Sequence, residues 1–577
     1  MKTTIFRKPT DDEIRVLEAA GNRADDWSAI EVTDGFATSQ MTGCRLHGHV
    51  RIGRNTVLRN SEVRNYDIGD NVIIESVTAL ECRCESSFGN GVKVATMNEN
   101  EGRSVTIYEG LTAQAGYLAA VYRHRSRTVA RLTEMAEAIA AAHRSHIGHI
   151  GDGSRISGAR FIRETNIGRN VTIDGCSVLQ NGTVGDNSFI GVDVKAYDFI
   201  TAQGVHIDNG SIIERCFIGE AVIMDKGFSA SESLFFANSH CENGEAASIF
   251  AGPYTVSHHK STLLIAGMFS FFNAGSGSNQ SNHLFKSGAV HQSVHLRGCK
   301  FASGAYIMSP AIEAPFTMVL GHHSRHHDIA DLPYSYLIEN NGRSMLIPGA
   351  NLTSYGTVRD IEKWPKRDKR KVGGDIINFE EYNPYITGKL IRGLNILNTL
   401  KEENPETELY GYNKVFIKAA NLRKGTSLYN KCIVASLGAM LRDGRPSGCD
   451  GRGEWVDLAG QFITKRAVGE VLEALESGEI ATPEELGRRF GEFAANYADY
   501  AYSWAADTLA KILGHTPDEE ELKDTVTSAE NIHASLRKMT DNDRRNDCSM
   551  EMSVGYGIDC DSADERALDY RIVRGLD

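Results

Sequence analysis

The chain has 577 residues, a formal net charge of −13 and a sequence pI of about 5.8. An acidic chain of this kind does not favour nucleic-acid binding, and no stretch approaches the roughly 20 consecutive apolar residues of a membrane-spanning helix. Its 11 cysteines form no CxxC pair, and its first residues lack the apolar core of a signal peptide. We therefore expect a cytoplasmic protein with reduced thiols and no nucleic-acid partner.

Residues 1–40 are predicted to form a short helical lead, because Asp11-Asp12-Glu13 favours the start of a helix. From residue 41 apolar residues recur every five or six positions, and Gly-Arg-Asn or Gly-Asp-Asn follows some of them. The predicted inward positions are Leu46, Ile52, Val57, Val63, Ile68, Ile74 and Leu80. Gly, Asn and Asp accept the positive φ of tight corners, so the chain is predicted to turn at each of these places.

Between about residues 100 and 146 the apolar spacing becomes helical, with Leu118, Val129, Leu132 and Ile139 on one stripe. This segment is predicted to be a helical insertion between two coils of one repeating domain. Loops that leave a solenoid often form its binding surface, which makes the insertion a minor candidate for ligand contact.

From Ile150 the pattern repeats at every seventeenth position, with internal steps of six, six and five. The aligned sets are Ile150, Ile156 and Ile162; Ile167, Ile173 and Leu179; Val184, Ile190 and Ala196; Thr201, Ile207 and Ile213; Ile218, Met224 and Ala230. These steps fit neither a helix nor an alternating strand. They fit a coil with three short sides, so the fold is predicted to be mainly β, a parallel β-helix stabilised by stacking of its coils.

The coils, over residues 41–350, resemble the hexapeptide repeats of left-handed β-helix proteins, the superfamily of acyl-CoA-dependent acyltransferases. This resemblance implies a left-handed parallel β-helix, a homo-oligomer that is usually a trimer, and acyl-CoA as co-substrate. The whole chain also resembles an uncharacterised bacterial family of long hexapeptide-repeat proteins. That second resemblance adds no activity, since function depends on the site and not on the fold.

After Gly349 the coil pattern stops, and residues 351–546 are predicted to be an α-helical domain that begins with the basic run Lys366–Lys371. The predicted helices are Asn383–Lys401, Asn413–Arg442, Asp457–Ser477, Thr482–Leu513 and Asp518–Lys538. Residues 547–577 are predicted to be a tail of irregular structure or short strand. The basic run is a candidate site for the phosphates of CoA or a nucleotide, although charge runs are usually solvated.

Histidines are concentrated between residues 235 and 328, which contain ten of the 19 in the chain. These are His240, His258, His259, His283, His291, His295, His322, His323, His326 and His327. A polar loop of small residues, 273–283, lies in the same stretch. The last four histidines fit an exposed loop that leaves the final coil, and a metal or phosphate site is the alternative for them.

The first functional hypothesis is acyl transfer from acyl-CoA to a sugar or nucleotide-sugar-like acceptor. A histidine takes the proton of the attacking hydroxyl, and His240 and His258 are the candidates because their spacing, close to one repeat, predicts neighbouring coils. In the acyltransferases that the chain resembles, a coil histidine in this role sits in a cleft between subunits, near a segment like Asn238-Ser239-His240. The predicted substrate-binding residues are His259, Ser276, Ser278, Asn279, Gln280, Asn282 and His283.

The second hypothesis is a metal site similar to that of hexapeptide-repeat carbonic anhydrases, with His283, His291 and His295 as ligands. Three neutral imidazoles around an open position lower the pKa of bound water towards about 7. The third hypothesis is a non-catalytic β-helix scaffold. A sugar nucleotidyltransferase is not expected, because only about 40 residues precede the coils and a nucleotide-binding domain with a Gly-rich loop does not fit there.

Overall fold

The computed structural model of the protein describes residues 5–281 and 288–576. Its larger part is a parallel β-solenoid, which confirms the predicted fold class. Successive coils pair at the predicted spacing, since Ile156 aligns with Ile173, Ile173 with Ile190, and Ile190 with Ile207. All four isoleucine side chains are fully buried, so the predicted inward positions of these coils form the core.

Each coil has three sides because one residue at each corner adopts a left-handed backbone. In the coil that starts at Phe161 these residues are Glu164, Asn170 and Gly175, with φ of 44°, 54° and 69°. The first of them bends the strand Phe161–Ile167 at its centre, so that one strand supplies two sides. Asn and Gly tolerate this conformation better than other residues, which explains their recurrence at corners.

The solenoid strands fall into two ladders, each parallel from coil to coil. The first contains Arg45–Ile52, Glu62–Ile68, Ala79–Glu81, Gly148–Ile150, Phe161–Ile167, Val178–Val184, Lys195–Thr201, Ile212–Ile218, Ser229–Phe235, Glu245–Ala247, Phe250–Ala251, Leu263–Ile265, Gly267–Phe269, Asn279–Ser281, Ser293–His295, Tyr306–Met308, Ala311–Glu313 and His322–His323. The second contains Met41–Thr42, Val57–Arg59, Ile73–Glu75, Arg155–Ser157, Thr172–Asp174, Phe189–Ile190, His206–Ile207, Ile223–Asp225, His240–Glu242, Val256–Ser257, Asn273–Ala274, Lys300–Phe301, Met318–Leu320 and Tyr336–Asn340, and its last strand pairs with the antiparallel Arg343–Ile347.

The solenoid is interrupted as predicted, because Ile68 pairs directly with Ile150 and Leu80 lies beside Ile162. The insertion leaves after Glu81 and rejoins at Gly148, so it starts earlier than the predicted boundary near residue 100. It contains a hairpin and two helices, Lys93–Val94 with Val105–Thr106, then Ala113–Val121 and Ser126–Ala142.

One predicted inward position is wrong. Leu58, and not Val57, is fully buried and aligns with the buried Ile74. The inward steps are six residues from Ile52 to Leu58 and five from Leu58 to Val63, whereas the prediction placed the shorter step first, and this moves the inward residue by one place. A single-residue shift in a strand exchanges its two faces.

The solenoid continues after Ala230, although its period becomes irregular. Phe235 aligns with Ala251, Ala251 with Phe269, and Phe269 with His295. The step between aligned residues grows along this series, which is why the sequence repeat is hard to follow there. The ladder itself stays continuous through these coils.

The C-terminal region is mainly helical. Its helices of eight residues or more are Tyr355–Lys363, Pro384–Glu403, Ala419–Asp443, Lys465–Ser477, Pro483–Ala495, Tyr497–Leu513, Glu519–Asp547 and Ala563–Arg574. The predicted helical lead contains the helix Asp11–Ala19 but also the strands Phe6–Arg7, Arg23–Ala24 and Ile30–Thr33, and the last two pair with the solenoid strand Arg45–Ile52. Two hairpins replace the predicted starts of two helices, Leu409–Tyr412 with Val415–Lys418 and Trp455–Leu458 with Gln461–Thr464. The predicted helix 482–513 is broken at Asn496, and the predicted irregular tail contains a helix. Among the described helices, none has the length and apolar character to cross a membrane.

Aromatic corner residues connect the helical region to the last coils. Tyr254, Phe271, Phe316 and Tyr334 occupy left-handed corner positions, and the rings of Tyr254 and Phe271 stack at 5.2 Å. Trp364, at the start of the helical region, packs edge-on against Phe271 at 4.6 Å, and its carbonyl accepts the Tyr254 hydroxyl at 2.9 Å. Aromatic rings bury more area than Asn or Gly, so these corners hold the second region in place.

Candidate functional site

A cleft of about 480 Å³ lies where the solenoid, the insertion and the linker at residues 372–375 meet. Small-molecule sites usually enclose about 300–1,000 Å³, so the cleft has the volume of a ligand site. Its lining residues are Glu109, Gly110, Leu111, Thr112, His143, His149, Asn166, Ile167, Gly168, Thr183, Val184, Gly185, Asp186, Ile200, Thr201, Ala202, Gln203, Phe217, Gly219, Glu220, Val372, Gly374 and Asp375. None of the predicted site histidines is in this set.

The floor of the cleft is formed by four stacked side chains that occupy the same outward position in four consecutive coils. Asn166 pairs with Thr183, Thr183 with Ile200, and Ile200 with Phe217. The floor is therefore polar at one end and apolar at the other. Beside it the corner is built from small residues, and a Cβ at Gly185 would lie 2.5 Å from the backbone of Ala202. Glycine at this corner keeps the coils in close contact and the floor open.

His143, at the end of the second insertion helix, has one ring nitrogen held by a hydrogen bond and the other available to accept a proton. Its Nδ1 lies 2.9 Å from the Ile139 carbonyl oxygen, which only accepts hydrogen bonds, so Nδ1 carries the proton in the neutral ring. Nε2 then presents a lone pair, and it lies 3.6 Å from Glu109 Oε1. A histidine with a fixed tautomer and a free lone pair in a cleft has the geometry of a general base.

Glu109 is held in place by neighbours on both sides. Its Oε1 accepts hydrogen bonds from Asn90 Nδ2 at 3.3 Å and from Thr183 Oγ1 at 3.2 Å. Its backbone N–H donates to Asn90 Oδ1 at 2.8 Å. The carboxylate is therefore positioned to stabilise the imidazolium that forms when His143 takes a proton.

The cleft is acidic. Among the described residues its lining contains the carboxylates Glu109, Asp186, Glu220 and Asp375 and no lysine or arginine. Asp186 is paired with Arg169, whose Nη2 lies 2.8 Å away outside the lining. A lining of this charge disfavours phosphate groups inside the cleft and favours hydroxyl or amino donors.

Two buried carboxylates fix the linker that closes one side of the cleft. Asp375 accepts the backbone N–H of Ala113 at 2.7 Å and that of Ala237 at 3.1 Å, and its burial raises its pKa. Glu220 accepts the backbone N–H groups of Val372 at 2.8 Å and Gly373 at 3.0 Å. Burial alone would raise the pKa of Glu220, but hydrogen bonds from Val372 and other donors outweigh it and hold the pKa below its usual range.

His240 and His258 lie on neighbouring coils, as their spacing predicts, with ring centroids 4.2 Å apart. Nε2 of His240 lies 2.9 Å from Glu242 Oε1, and Nε2 of His258 is buried without a hydrogen-bond partner among the described residues. Burial lowers the pKa of His240 despite that carboxylate, and burial lowers the pKa of His258 to about 4. Lys369 of the basic run approaches His240, and its charge also lowers the His240 pKa.

The predicted substrate-binding loop does not gather around the histidine pair. Ser278 is buried and its hydroxyl donates to the Gly275 carbonyl at 2.8 Å, while Gln280 is buried in the coil interior. Ser276 and His259 are exposed, and Asn279 is half-buried. Asn282 and His283 lie outside the described residues.

The predicted metal ligands are not brought together within the described residues. His295 is buried between the rings of Phe269 and Phe272, and its Nδ1 bonds Glu313. His291 lies in an irregular, partly exposed segment, and His283 lies outside the described residues. The described part of the chain contains no group of three or more His, Cys, Asp or Glu residues arranged to hold a metal ion.

A buried network in the last coils escaped the sequence analysis. Glu313 accepts from His295 with one oxygen and from His327 Nε2, at 2.6 Å, with the other. Nδ1 of His327 lies 3.0 Å from the Arg325 carbonyl, so both ring nitrogens donate and the ring is an imidazolium. His323, also buried, contacts Ser344 Oγ at 2.8 Å. The expectation of one exposed loop is thus wrong for His323 and His327, because both side chains point into the coil.

The pKa values of Glu313, His323 and His327 in this network are shifted from their usual ranges. Burial alone would raise the pKa of Glu313, but His295 and His327 outweigh it and lower the pKa to about 2. Burial would lower the pKa of His327, yet Glu313 raises it, whereas burial lowers the pKa of His323 to about 4. A buried pair of this kind is held by mutual compensation of charge.

The cleft residues were also missed by sequence analysis, because Glu109 and His143 reach the solenoid only through long-range packing of the insertion. One signal was present. Consecutive coils place the apolar residues Ile200 and Phe217 at the same outward position as Thr183. Outward apolar side chains of this kind indicate that another part of the protein shields them from solvent. The insertion supplies that cover.

A family described as "Domain of unknown function (DUF4954)" matches residues 56–401, more than half of the chain and all of the cleft lining. The chain belongs to this family. A second family, "Domain of unknown function (DUF6819)", matches residues 439–576. Neither description names a hexapeptide repeat.

A relative in Treponema pallidum (strain Nichols) has the name "Uncharacterized protein". It is 24% identical over 463 residues, which cover 69% of this chain and 62% of the relative. The chain therefore spans less than two thirds of that protein's length. None of these descriptions names an activity.

Proposed function

We propose that the protein is an acyltransferase that moves an acyl group from acyl-CoA to a hydroxyl of a sugar-like acceptor bound in the cleft. The observation that carries the proposal is His143, a cleft-lining residue whose Nδ1 is held by the Ile139 carbonyl and whose Nε2 lies 3.6 Å from Glu109 Oε1. His143 replaces the sequence-based candidates His240 and His258 as the general base, since neither of them lines the cleft.

In the proposed reaction the acceptor oxygen attacks the thioester carbonyl carbon. Nε2 of His143 takes the hydroxyl proton, and Glu109 stabilises the resulting imidazolium. The new C–O bond forms, the C–S bond breaks, and the leaving thiolate of CoA takes the proton back from His143. Atoms and charges balance without a metal or a redox partner.

The cleft supports an uncharged acceptor better than a nucleotide-linked one. The apolar end of the floor, Ile200 and Phe217, fits the face of a sugar ring. The polar end, Asn166 and Thr183, and the carboxylates of the rim fit its hydroxyl groups. A nucleotide's phosphates would meet four carboxylates and no lysine or arginine among the described lining residues.

Cations for the CoA phosphates lie next to the cleft, in the basic run. Lys371 directly precedes Val372 of the cleft wall, and it is exposed, as are Lys366, Arg367 and Lys369. The run is anchored near its end by Glu220, which accepts the Lys371 and Val372 backbone N–H groups. A phosphate group on this run would leave the acyl end of the donor free to reach the cleft.

A cytoplasmic location belongs to the same proposal, because CoA thioesters are intracellular donors. All 11 cysteines are free, although Cys84 is exposed. Reduced thiols of this kind fit a reducing compartment.

The test is release of free thiol from acetyl-CoA with a panel of neutral sugars, followed by variants. We expect His143→Ala to lower kcat by about 10²–10⁴-fold with little change in acceptor affinity, because the base acts in the transition state. His146→Ala is the matched control, since His146 is exposed on the same segment and does not line the cleft. Unchanged turnover in His143→Ala, or loss only in His258→Ala, would contradict the proposed base.

A further inference from the structure

Exposed apolar side chains are concentrated at the C-terminal end of the described chain. Half of the 16 large hydrophobic residues that are exposed within the described ranges lie between residues 550 and 576. They are Met550, Met552, Val554, Ile558, Leu568, Ile572, Val573 and Leu576. A soluble protein rarely exposes so many apolar residues in one segment unless another surface covers them.

The helix Ala563–Arg574 carries a short apolar stripe, formed by Leu568 and Ile572. These two residues are spaced by four positions and so lie on one face, with 47% and 61% exposure. The opposite side of the helix is fixed by Tyr570, which is fully buried and packs edge-on against Tyr556 at 5.0 Å. The stripe is therefore an outward apolar face on a helix that is already packed on its other side.

Charge on this helix is divided between its ends. Its first turn carries Asp564 and Glu565, and its last turn carries Arg571 and Arg574. Asp564 and Arg571 are separated by two helical turns and therefore flank the stripe on the same side. A helix with this pattern is complementary to itself when it is reversed.

We propose that this stripe is a dimer interface, in which the same helix of a second copy packs antiparallel across a two-fold axis. A two-fold axis normal to the plane of the helix pair brings Leu568 and Ile572 of both copies together at the centre. It also places the acidic first turn of each copy beside the basic last turn of the other. The proposal is independent of acyl transfer in the cleft.

The charge of this segment also favours a protein partner over a lipid surface. Residues 550–576 contain six acidic and three basic side chains, namely Glu551, Asp559, Asp561, Asp564, Glu565 and Asp569 against Arg566, Arg571 and Arg574. Membrane-surface helices are rich in Lys and Arg on their polar face, because most membrane surfaces are anionic. The acidic segment is therefore suited to a protein surface with its own mixed charge.

The first test measures the mass of the full chain by light scattering over a range of concentrations. We expect a dimer for the unmodified protein and for Ile512→Asp, which changes an exposed apolar residue elsewhere in the helical region. Leu568→Asp and Ile572→Asp should each weaken association at least about tenfold, because they place a charge at the centre of the interface. Circular dichroism and thermal unfolding check that each variant is folded.

The second test uses charge reversal to examine the antiparallel arrangement. Asp564→Arg and Arg571→Asp should each weaken the dimer a few-fold through like-charge contact between copies, and the double variant should recover most of the loss. A monomer at about 100 μM, a dimer or trimer that Leu568→Asp leaves intact, or a double variant weaker than both single variants would overturn the proposal.

Discussion

The early and late coils share one backbone but have different interiors. In the early coils the inward positions Ile156, Ile173 and Ile190 are aliphatic and fully buried. In the late coils the interior contains polar side chains that are at most 1% exposed, namely Ser257, Gln280, Ser293, His295 and Glu313. The late coils also keep buried aliphatic residues such as Ile307, Val319 and Leu337. The difference therefore shows that one backbone ladder accommodates both an aliphatic interior and an interior that includes a hydrogen-bonded His and Glu pair.

Corner residues differ in the same way. The early coils use Asn170, Asn187 and Gly204 at one corner, and the late coils place Tyr254 and Phe271 at the corresponding corner. Asn and Gly satisfy the left-handed backbone and leave the corner to solvent. The aromatic residues accept the strain of that backbone because the helical region covers their rings.

The largest effect should come from the charge at the centre of the late interior. Glu313→Ala leaves the His327 imidazolium buried without its carboxylate, so we expect a loss of about 4 kcal/mol in the free energy of unfolding. Urea denaturation followed by circular dichroism measures it. Ile190→Ala is the control in the early interior, where a loss of about 3 kcal/mol should arise from a cavity and should not depend on pH.

A loss below about 1 kcal/mol for Glu313→Ala would contradict a compensating role for the carboxylate. The same result would show that the late interior tolerates an uncompensated imidazolium and is closer to the surface than its burial indicates.

The next effect is acid sensitivity confined to the late coils. The pKa of His323 falls from about 6.5 in the unfolded chain to about 4 in the fold, so the unfolded state binds its proton first. Stability should therefore decline as the pH falls from about 6.5 to 4, by up to about 3 kcal/mol. The contributions of His327 and Glu313 to the free energy of unfolding stay nearly constant over this pH range. The raised pKa of His327 contributes its full stabilisation below about pH 6.5, and the lowered pKa of Glu313 contributes its full stabilisation above about pH 4.3.

His258 acts in the same direction, because its pKa is also lowered to about 4. The difference between the denaturation midpoints at about pH 7 and about pH 4.5 should therefore be smaller in His323→Asn than in the unmodified protein. It should be smaller still in the double variant that also carries His258→Asn. Hydrogen exchange at both pH values, corrected for the intrinsic rate, should show the opening around residues 318–347 and not around Ile190. Opening of both regions together would contradict a separate late region.

The smallest effect should arise at an early corner. Asn187 has a φ of 58°, and its backbone N–H donates to the Arg169 carbonyl at 2.8 Å. Asn187→Ala should lose about 1 kcal/mol of unfolding free energy, because alanine tolerates the left-handed backbone less well. Asn187→Gly should lose little by thermal unfolding, and an equal loss in both variants would place the effect in the side chain and not in the backbone.

The sequence predicts the regular part of the fold well, because inward residues such as Ile173 and corner residues such as Gly168 repeat at fixed steps. It predicts less of the late coils, where the step between aligned residues changes from Ala251 and Phe269 to Phe269 and His295. The cleft was out of reach for a physical reason. Its two sides are brought together only by packing of the insertion on distant coils, as the hydrogen bond between Thr183 and Glu109 shows.

The chain between Ile68 and its partner Ile150 is several times longer than the ordinary step from Ile150 to its own partner Ile167. The entropy of closing a loop grows only with the logarithm of its length, so this detour costs the fold about 1.4 kcal/mol more than an ordinary turn. An insertion that forms one side of a cleft can therefore be added at a corner of a coil, and its loop-closure cost is smaller than the destabilisation caused by truncating one buried side chain. The solenoid is a frame to which new recognition surfaces are readily added, and the ladder on either side of the opening keeps its register.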